Sequence, residues 1–291
     1  GYQSVCSVED FSVNCIQVDS EYDLKQIVQK DSNYHFKLDK EYPIIANIYD
    51  EQQSGNRYLG IIIHHIAFDG WSTDILINEL SEIYNNLESS EGKLLSTIDM
   101  NLPLLKFQYK DFAMWQRNYL SGNVLDEQII YWKNKLNDFQ TINLPQDKIR
   151  PDIFDYKGNN VYFSFEEKVT NDLKRIAKEL GVSLYSLMLG GFYLMLSSYS
   201  NQKDVIIGSP IANRHYSGCE NIIGFFVNTV ALRQRIDIND DIFSFIKTVH
   251  NTVIEAQLHQ DLPFEKIVNE FQLEKDTSRN PLFQILFGIQ D

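Results

Sequence analysis

The sequence predicts a mixed α/β (α+β) protein built as two subdomains, and three observations carry that prediction. β-rich runs and segments of helical period alternate in both halves of the chain. A strand, turn and helix follow one another from residue 58 onward. A polar stretch at 144–158 (LPQDKIRPDIFDYKG), with two prolines and mixed charge, reads as a linker, so the boundaries fall at 1–150 and 151–291. With 291 residues and 43% hydrophobic content, there is enough apolar material for a substantial core.

Residues 42–48 (YPIIANI) and 58–64 (YLGIIIH) read as two sheet strands joined by a polar connection. After His65 comes IAFDGWS, whose Asp69-Gly70 pair signals a turn. Ser72 or Thr73 can then cap a helix with Ile75, Leu76, Leu80 and Ile83 on one face. Phe112, Trp115, Tyr119, Ile129, Tyr131 and Trp132 recur at helical spacing and read as the core of two packed helices.

The second half restarts with a strand at 160–165 (NVYFSF). Thr170 is placed to cap a helix carrying Leu173, Ile176, Ala177 and Leu180, which Gly181 ends. Ser183 starts a more apolar helix through Tyr199. Residues 205–207 form a short buried strand that enters the turn GSPIANR, 227–232 form another strand, and 243–258 an amphipathic helix.

A formal charge of −14, from 26 basic and 40 acidic residues, repels phosphate backbones and argues against nucleic-acid binding. Cys6, Cys15 and Cys219 make neither a CxxC pair nor a disulfide framework, which fits a reducing cytoplasm. No apolar run reaches the ~18 residues of a membrane span, and no signal pattern opens the chain at Gly1.

The segment His64-His65-Ile66-Ala67-Phe68-Asp69-Gly70 concentrates the chemistry. Adjacent strand residues point to opposite faces, so one histidine can enter a reaction chamber while the other packs or hydrogen-bonds behind it. Asp69, on the turn, can orient the site or hold the turn by an ion pair, and Gly70 leaves a backbone N–H near a helix start. A zinc site needs converging ligands, and neither HExxH nor HxH spacing occurs. An isolated pair of histidines would read as buried and satisfied; joined to Asp69 and Gly70 at a strand-to-helix turn, it reads as a reaction centre.

HHIAFDGWS resembles the HHxxxDG motif of condensation domains of nonribosomal peptide synthetases, members of the chloramphenicol-acetyltransferase-like superfamily. FQYKDFAMWQRNYL, YWKNKL, VIIGSPIANR, IIGFFVNTVALR, HQDLPFEKIV and SRNPLFQILF follow in the order of further family motifs. The resemblance implies two subdomains arranged as a V around a central tunnel. It also implies family segments before residue 1 and after residue 291, so that both ends of this chain are truncated.

The implied reaction is amide formation between donor and acceptor thioesters, each on the phosphopantetheine arm of a peptidyl carrier protein, beside a neighbouring adenylation domain. No cofactor bound by the domain itself is implied. By motif position His65 is the central residue, since a neutral imidazole, with an ordinary pKa of about 6.5, can take a proton from the attacking amine. His64 supports it, and Asp69 is structural, with Arg214 of GSPIANR a candidate partner. Gly70 offers its N–H to the oxyanion. Asn228 lies in a motif near the tunnel or serves as a strand-end hydrogen-bonder, Trp71 packs, and His259 caps a helix end or contacts a loop. DGWS, FVNTVALR and HQDLPFE resemble a peptide-extending subtype. A noncatalytic recruiting domain of the same fold and an ester-forming acyltransferase are the alternatives.

Overall fold

The computed structural model describes residues 3–7, 11–89, 102–153, 157–271 and 278–290. It divides into two compact units, Gly1–Tyr109 with His215–Phe226, and Lys110–Arg214 with Val227–Asp291. The boundary expected near residue 150 lies inside the second of these, because Trp132 and Leu136 are buried in its core. Residues 154–156 of the expected linker lie outside the described residues.

The first unit contains β1 (Val13–Val18), α1 (Glu21–Asp31), β2 (Ile44–Glu51), β3 (Arg57–Ile63) and α2 (Gly70–Glu88). β1 runs parallel to β2, with Val13 opposite Ala46, and β2 pairs antiparallel with β3, with Ile44 opposite Ile63. α1 begins at Ser20, whose side chain accepts the Asp23 N–H. It lays Leu24 and Ile27 against Val18, Ile16 and Tyr49. The Tyr49 hydroxyl donates to Asp31 at 2.6 Å, tying the sheet to the end of the helix. Its ring crosses Gly60 so closely that a Cβ there would sit 2.6 Å from Cε2, which fixes glycine at that point of β3. This arrangement delivers the end of β3 to the histidine pair.

The second unit holds α3 (Tyr109–Tyr119) from its second residue on, α4 (Gly122–Leu136), α5 (Glu167–Leu180), α6 (Leu184–Ser200), β4 (Asp204–Ile211), β5 (Asn228–Arg235), α7 (Ile242–Leu258) and α8 (Phe264–Glu270). β4 and β5 pair antiparallel, Ile207 opposite Leu232, and Gly208 exchanges backbone hydrogen bonds with Ile285 and Phe287 on its other side. Leu189 and Tyr193 of α6, Val205 and Ile207 of β4, Leu232 of β5 and Val249 of α7 form the centre of its core. The fully buried Tyr193 hydroxyl donates to the Leu232 carbonyl at 2.7 Å, and burial raises its pKa well above the usual tyrosine value. No single helix among the described residues is long and apolar enough to cross a membrane.

Several local expectations change. β4 continues through GSPI to Ile211, so that stretch is strand and not turn. The helix expected to start at Thr170 starts at Glu167, and Thr170 sits inside it, donating to the Glu166 carbonyl. Gly181 ends it in the left-handed region with φ 68°, where glycine carries no Cβ penalty. Residues 160–165 do not form a strand. Val161, Tyr162 and Phe163 are 88%, 88% and 79% exposed, and a strand exists only through a partner's hydrogen-bond ladder, which the described residues do not supply here.

Candidate active site

β3 ends at Ile63, and the chain turns into a short 3₁₀ segment, His65–Ala67, for which His64 is the N-cap. Both histidines therefore lie past the end of the strand, at the start of a turn, and not on the two faces of a strand. The strand yields because the last backbone bond on this side, from His64 N–H to the Pro43 carbonyl (2.8 Å), closes the ladder just as the turn begins.

The two rings take opposite duties. The His64 Nδ1 accepts the Ile66 N–H at 3.0 Å, which places the proton of the neutral ring on Nε2. Its ring meets Phe36 edge to face at 5.8 Å. The His65 Nδ1 lies 2.6 Å from the Phe68 carbonyl oxygen, an acceptor only, so Nδ1 carries the proton and donates it. In the neutral ring, that makes Nε2 of the exposed His65 the nitrogen with the lone pair. The His65 ring meets Phe225 at 5.3 Å and 88°.

Asp69, and not Ser72 or Thr73, caps α2. Its extended backbone (φ −123°, ψ 175°) lets Oδ1 accept the Ser72 N–H at 3.0 Å. The Ser72 hydroxyl donates to the same oxygen at 2.7 Å, and Oδ2 accepts the Phe226 N–H at 3.0 Å. Asp69 as a whole is 3% exposed, so all of these bonds are made away from solvent. Gly70 is the first residue of α2. A Cβ there would meet nothing within 4 Å, so what this position offers is its place at the helix start, not steric room.

The segment 220–226 is strapped to the same helix start. Trp71 Nε1–H donates to the Glu220 carbonyl at 2.9 Å, and Trp71 is half exposed, so hydrogen bonding accounts for it better than packing does. Gly224 N–H donates to the Ser72 hydroxyl at 3.1 Å, and the Tyr109 hydroxyl donates to the Phe225 carbonyl at 2.8 Å. Phe225, Ser72 and Tyr109 were not singled out by the sequence as site residues. The GFFV run, with two adjacent aromatics in an expected site motif, was the available signal.

Arg214 and Asn228 belong to the second unit. Arg214 is 7% exposed. Asn228 donates to the carbonyls of Gln260 (2.8 Å) and Leu262 (2.9 Å) and accepts the N–H of Phe264 (3.1 Å). Its carboxamide thus holds the 260–264 loop, the strand-end role. His259 is the C-cap of α7. Its Nδ1–H donates to the Glu255 carbonyl at 2.9 Å, and its ring stacks on Tyr131 at 3.6 Å and 3°. Burial of Tyr131, reinforced by the charge of Glu255, pushes the phenol up to about 12.

The sequence matches the family model described as Condensation domain over residues 2–291. It is 38% identical over 274 residues to the N-(5-amino-5-carboxypentanoyl)-L-cysteinyl-D-valine synthase of Amycolatopsis lactamdurans, covering 94% of this chain and 7% of that relative. To the synthase of the same name from Penicillium chrysogenum it is 36% identical over 281 residues, 96% of this chain and 7% of that one. It therefore spans less than a tenth of the length of these relatives. Among solved structures, it resembles a four-domain nonribosomal peptide synthetase bound to AMP and glycine with a TM-score of 0.79 at 27% identity, covering 96% of this chain and 20% of that one. The X-domain from teicoplanin biosynthesis gives a TM-score of 0.83 at 22% identity, covering 94% and 60%, a likeness of fold.

Proposed function

This chain belongs to the condensation-domain family, and from that premise we propose that it forms the amide bond of nonribosomal peptide synthesis. The donor is an acyl or peptidyl thioester and the acceptor an aminoacyl thioester, both on phosphopantetheine arms of carrier proteins. The single observation that supports this most is the state of His65: Nδ1–H is committed to the Phe68 carbonyl, so Nε2 is the ring atom left to take a proton.

The acceptor amine attacks the donor carbonyl carbon, and a C–N bond forms as the carbonyl oxygen becomes an oxyanion. His65 Nε2 takes the proton that the amine sheds. Collapse of the intermediate breaks the C–S bond, and the departing thiolate of the donor arm receives the proton from His65. Gly70, among the helix-start N–H groups that lack an intrahelical partner, is the proposed donor to the oxyanion. His64 holds the turn that presents His65, and Asp69 holds the helix start behind it. Tethering of both reactants supplies much of the remaining acceleration.

The test is single-turnover condensation in the complete parent protein, with donor and acceptor carriers loaded and the acceptor arm read by mass spectrometry. Wild type transfers the donor to the acceptor arm, and His65→Ala lowers the rate by about 10²–10⁴-fold. Absence of amide from wild type would support a recruiting or ester-forming domain instead.

A further inference from the structure

A single hydrogen bond does not fix an exposed imidazole. The Nδ1–H bond of His65 to the Phe68 carbonyl anchors one edge of the ring and leaves rotation about that anchor open. The second restraint is Phe225, whose ring stands edge to face against the imidazole at 5.3 Å and 88°, a favoured geometry for an aromatic pair.

The placement of Phe225 has an unusual origin. Its ring is only half-buried, and its backbone is fixed on three consecutive residues by hydrogen bonds. Gly224 N–H reaches the Ser72 hydroxyl (3.1 Å), the Phe225 carbonyl takes the Tyr109 hydroxyl (2.8 Å), and Phe226 N–H reaches Asp69 Oδ2 (3.0 Å). Two of these partners, Asp69 and Ser72, lie four and seven residues beyond His65 in the chain. The turn that carries the histidine therefore also recruits the ring that leans on it. Gly224 is matched to this: the Tyr109 ring occupies the space its Cβ would need.

We propose that Phe225 is a positioning residue for His65: with the Phe68 carbonyl it holds the imidazole at the angle that points Nε2 to the amine. This inference rests on the catalytic reading of His65. Asp69 then acts on the chemistry at one remove, through the Phe226 N–H and the ring before it.

The experiment is a double-mutant cycle in the complete parent protein, using the single-turnover assay, with aminoacyl loading by the neighbouring adenylation domain as the control for folding. Phe225→Ala is expected to slow condensation by about 10²-fold, the scale of an ångström misplacement of a catalytic group. Phe225→Tyr, which keeps the ring, is expected to restore most of the rate. In a His65→Ala background, Phe225→Ala is expected to change the residual rate by no more than about twofold, because both changes remove one unit. Equal losses in the two backgrounds, or failure of the ring-keeping variant to rescue, would overturn the proposal while leaving the role of His65 standing. If His65→Ala is too slow to measure, rescue by Phe225→Tyr decides. If His65→Ala condenses like wild type, or wild type makes no amide, the catalytic reading falls and the inference with it.

Discussion

His64 and His65 are neighbours whose Nδ1 atoms take opposite roles: His64 accepts at Nδ1 from the Ile66 N–H, and His65 donates from Nδ1 to the Phe68 carbonyl. The acceptor duty of His64 can be met by another side chain with an acceptor at the same reach. His64→Asn, whose Oδ1 can take the Ile66 N–H, is expected to retain more condensation activity than His64→Leu, which has no acceptor. Single-turnover rates of the two variants check this; equal rates would mean that His64 contributes bulk alone.

Asp69 satisfies buried donors at the α2 start and on the 226 backbone at once. Asp69→Ala leaves the Ser72 and Phe226 N–H groups without that acceptor, and unfolding free energy should fall by about 1–3 kcal/mol for each donor that water does not reach. Denaturant titration of the variant gives the number. A loss within error of zero would show that water replaces the carboxylate.

Arg233 is the clearest structural test outside the site. Its Nε donates to Asp204 at 2.8 Å, and its Nη groups reach the carbonyls of Lys135 and Asp138, both at 3.2 Å. A lysine has no planar fork with which to reproduce this set. Arg233→Lys is expected to lower the thermal midpoint distinctly, and Arg233→Met to lower it further by leaving Asp204 without its main cation.

Asp241 supplies a pH test. Hydrogen bonds from Ser244, and then from the Phe243 N–H, hold its carboxyl below the usual aspartate value at the N-terminus of α7. A lowered folded pKa means stability that is present above the unfolded value of about 3.9 and lost as pH falls through the folded one. Asp241→Asn keeps the cap without the charge. The midpoint difference between wild type and this variant should therefore be largest near neutrality and close as pH drops below about 4. A difference constant across that window would contradict this linkage.

The histidine pair and the strand–turn–helix order were legible because short-range chemistry specifies them: a β-branched run, an Asp-Gly turn, and helical period after it. The helix cap was misplaced because Asp, Ser and Thr are all competent caps, and the Phe226 N–H that Asp69 also accepts lies 157 residues away. The same separation hid Phe225. β1 and α1 went unread although Ser20, Asp23, Leu24 and Ile27 carry a capped amphipathic pattern. The exposed face of β1 blurs the alternation that would have marked it. At 160–165 local propensity pointed to a strand, but propensity cannot supply a neighbour.

The bond between Phe226 N–H and Asp69 also sets an order in time. On a ribosome adding roughly 5–20 residues per second, the histidine turn emerges about 8–30 s before the residue 157 positions later that completes it. Through that interval the Gly224 and Phe226 N–H groups that Ser72 and Asp69 accept have not yet been made, nor has the Phe225 ring that meets His65. The nascent chain thus carries its histidine motif well before the segment ending at Phe226 that completes the first unit.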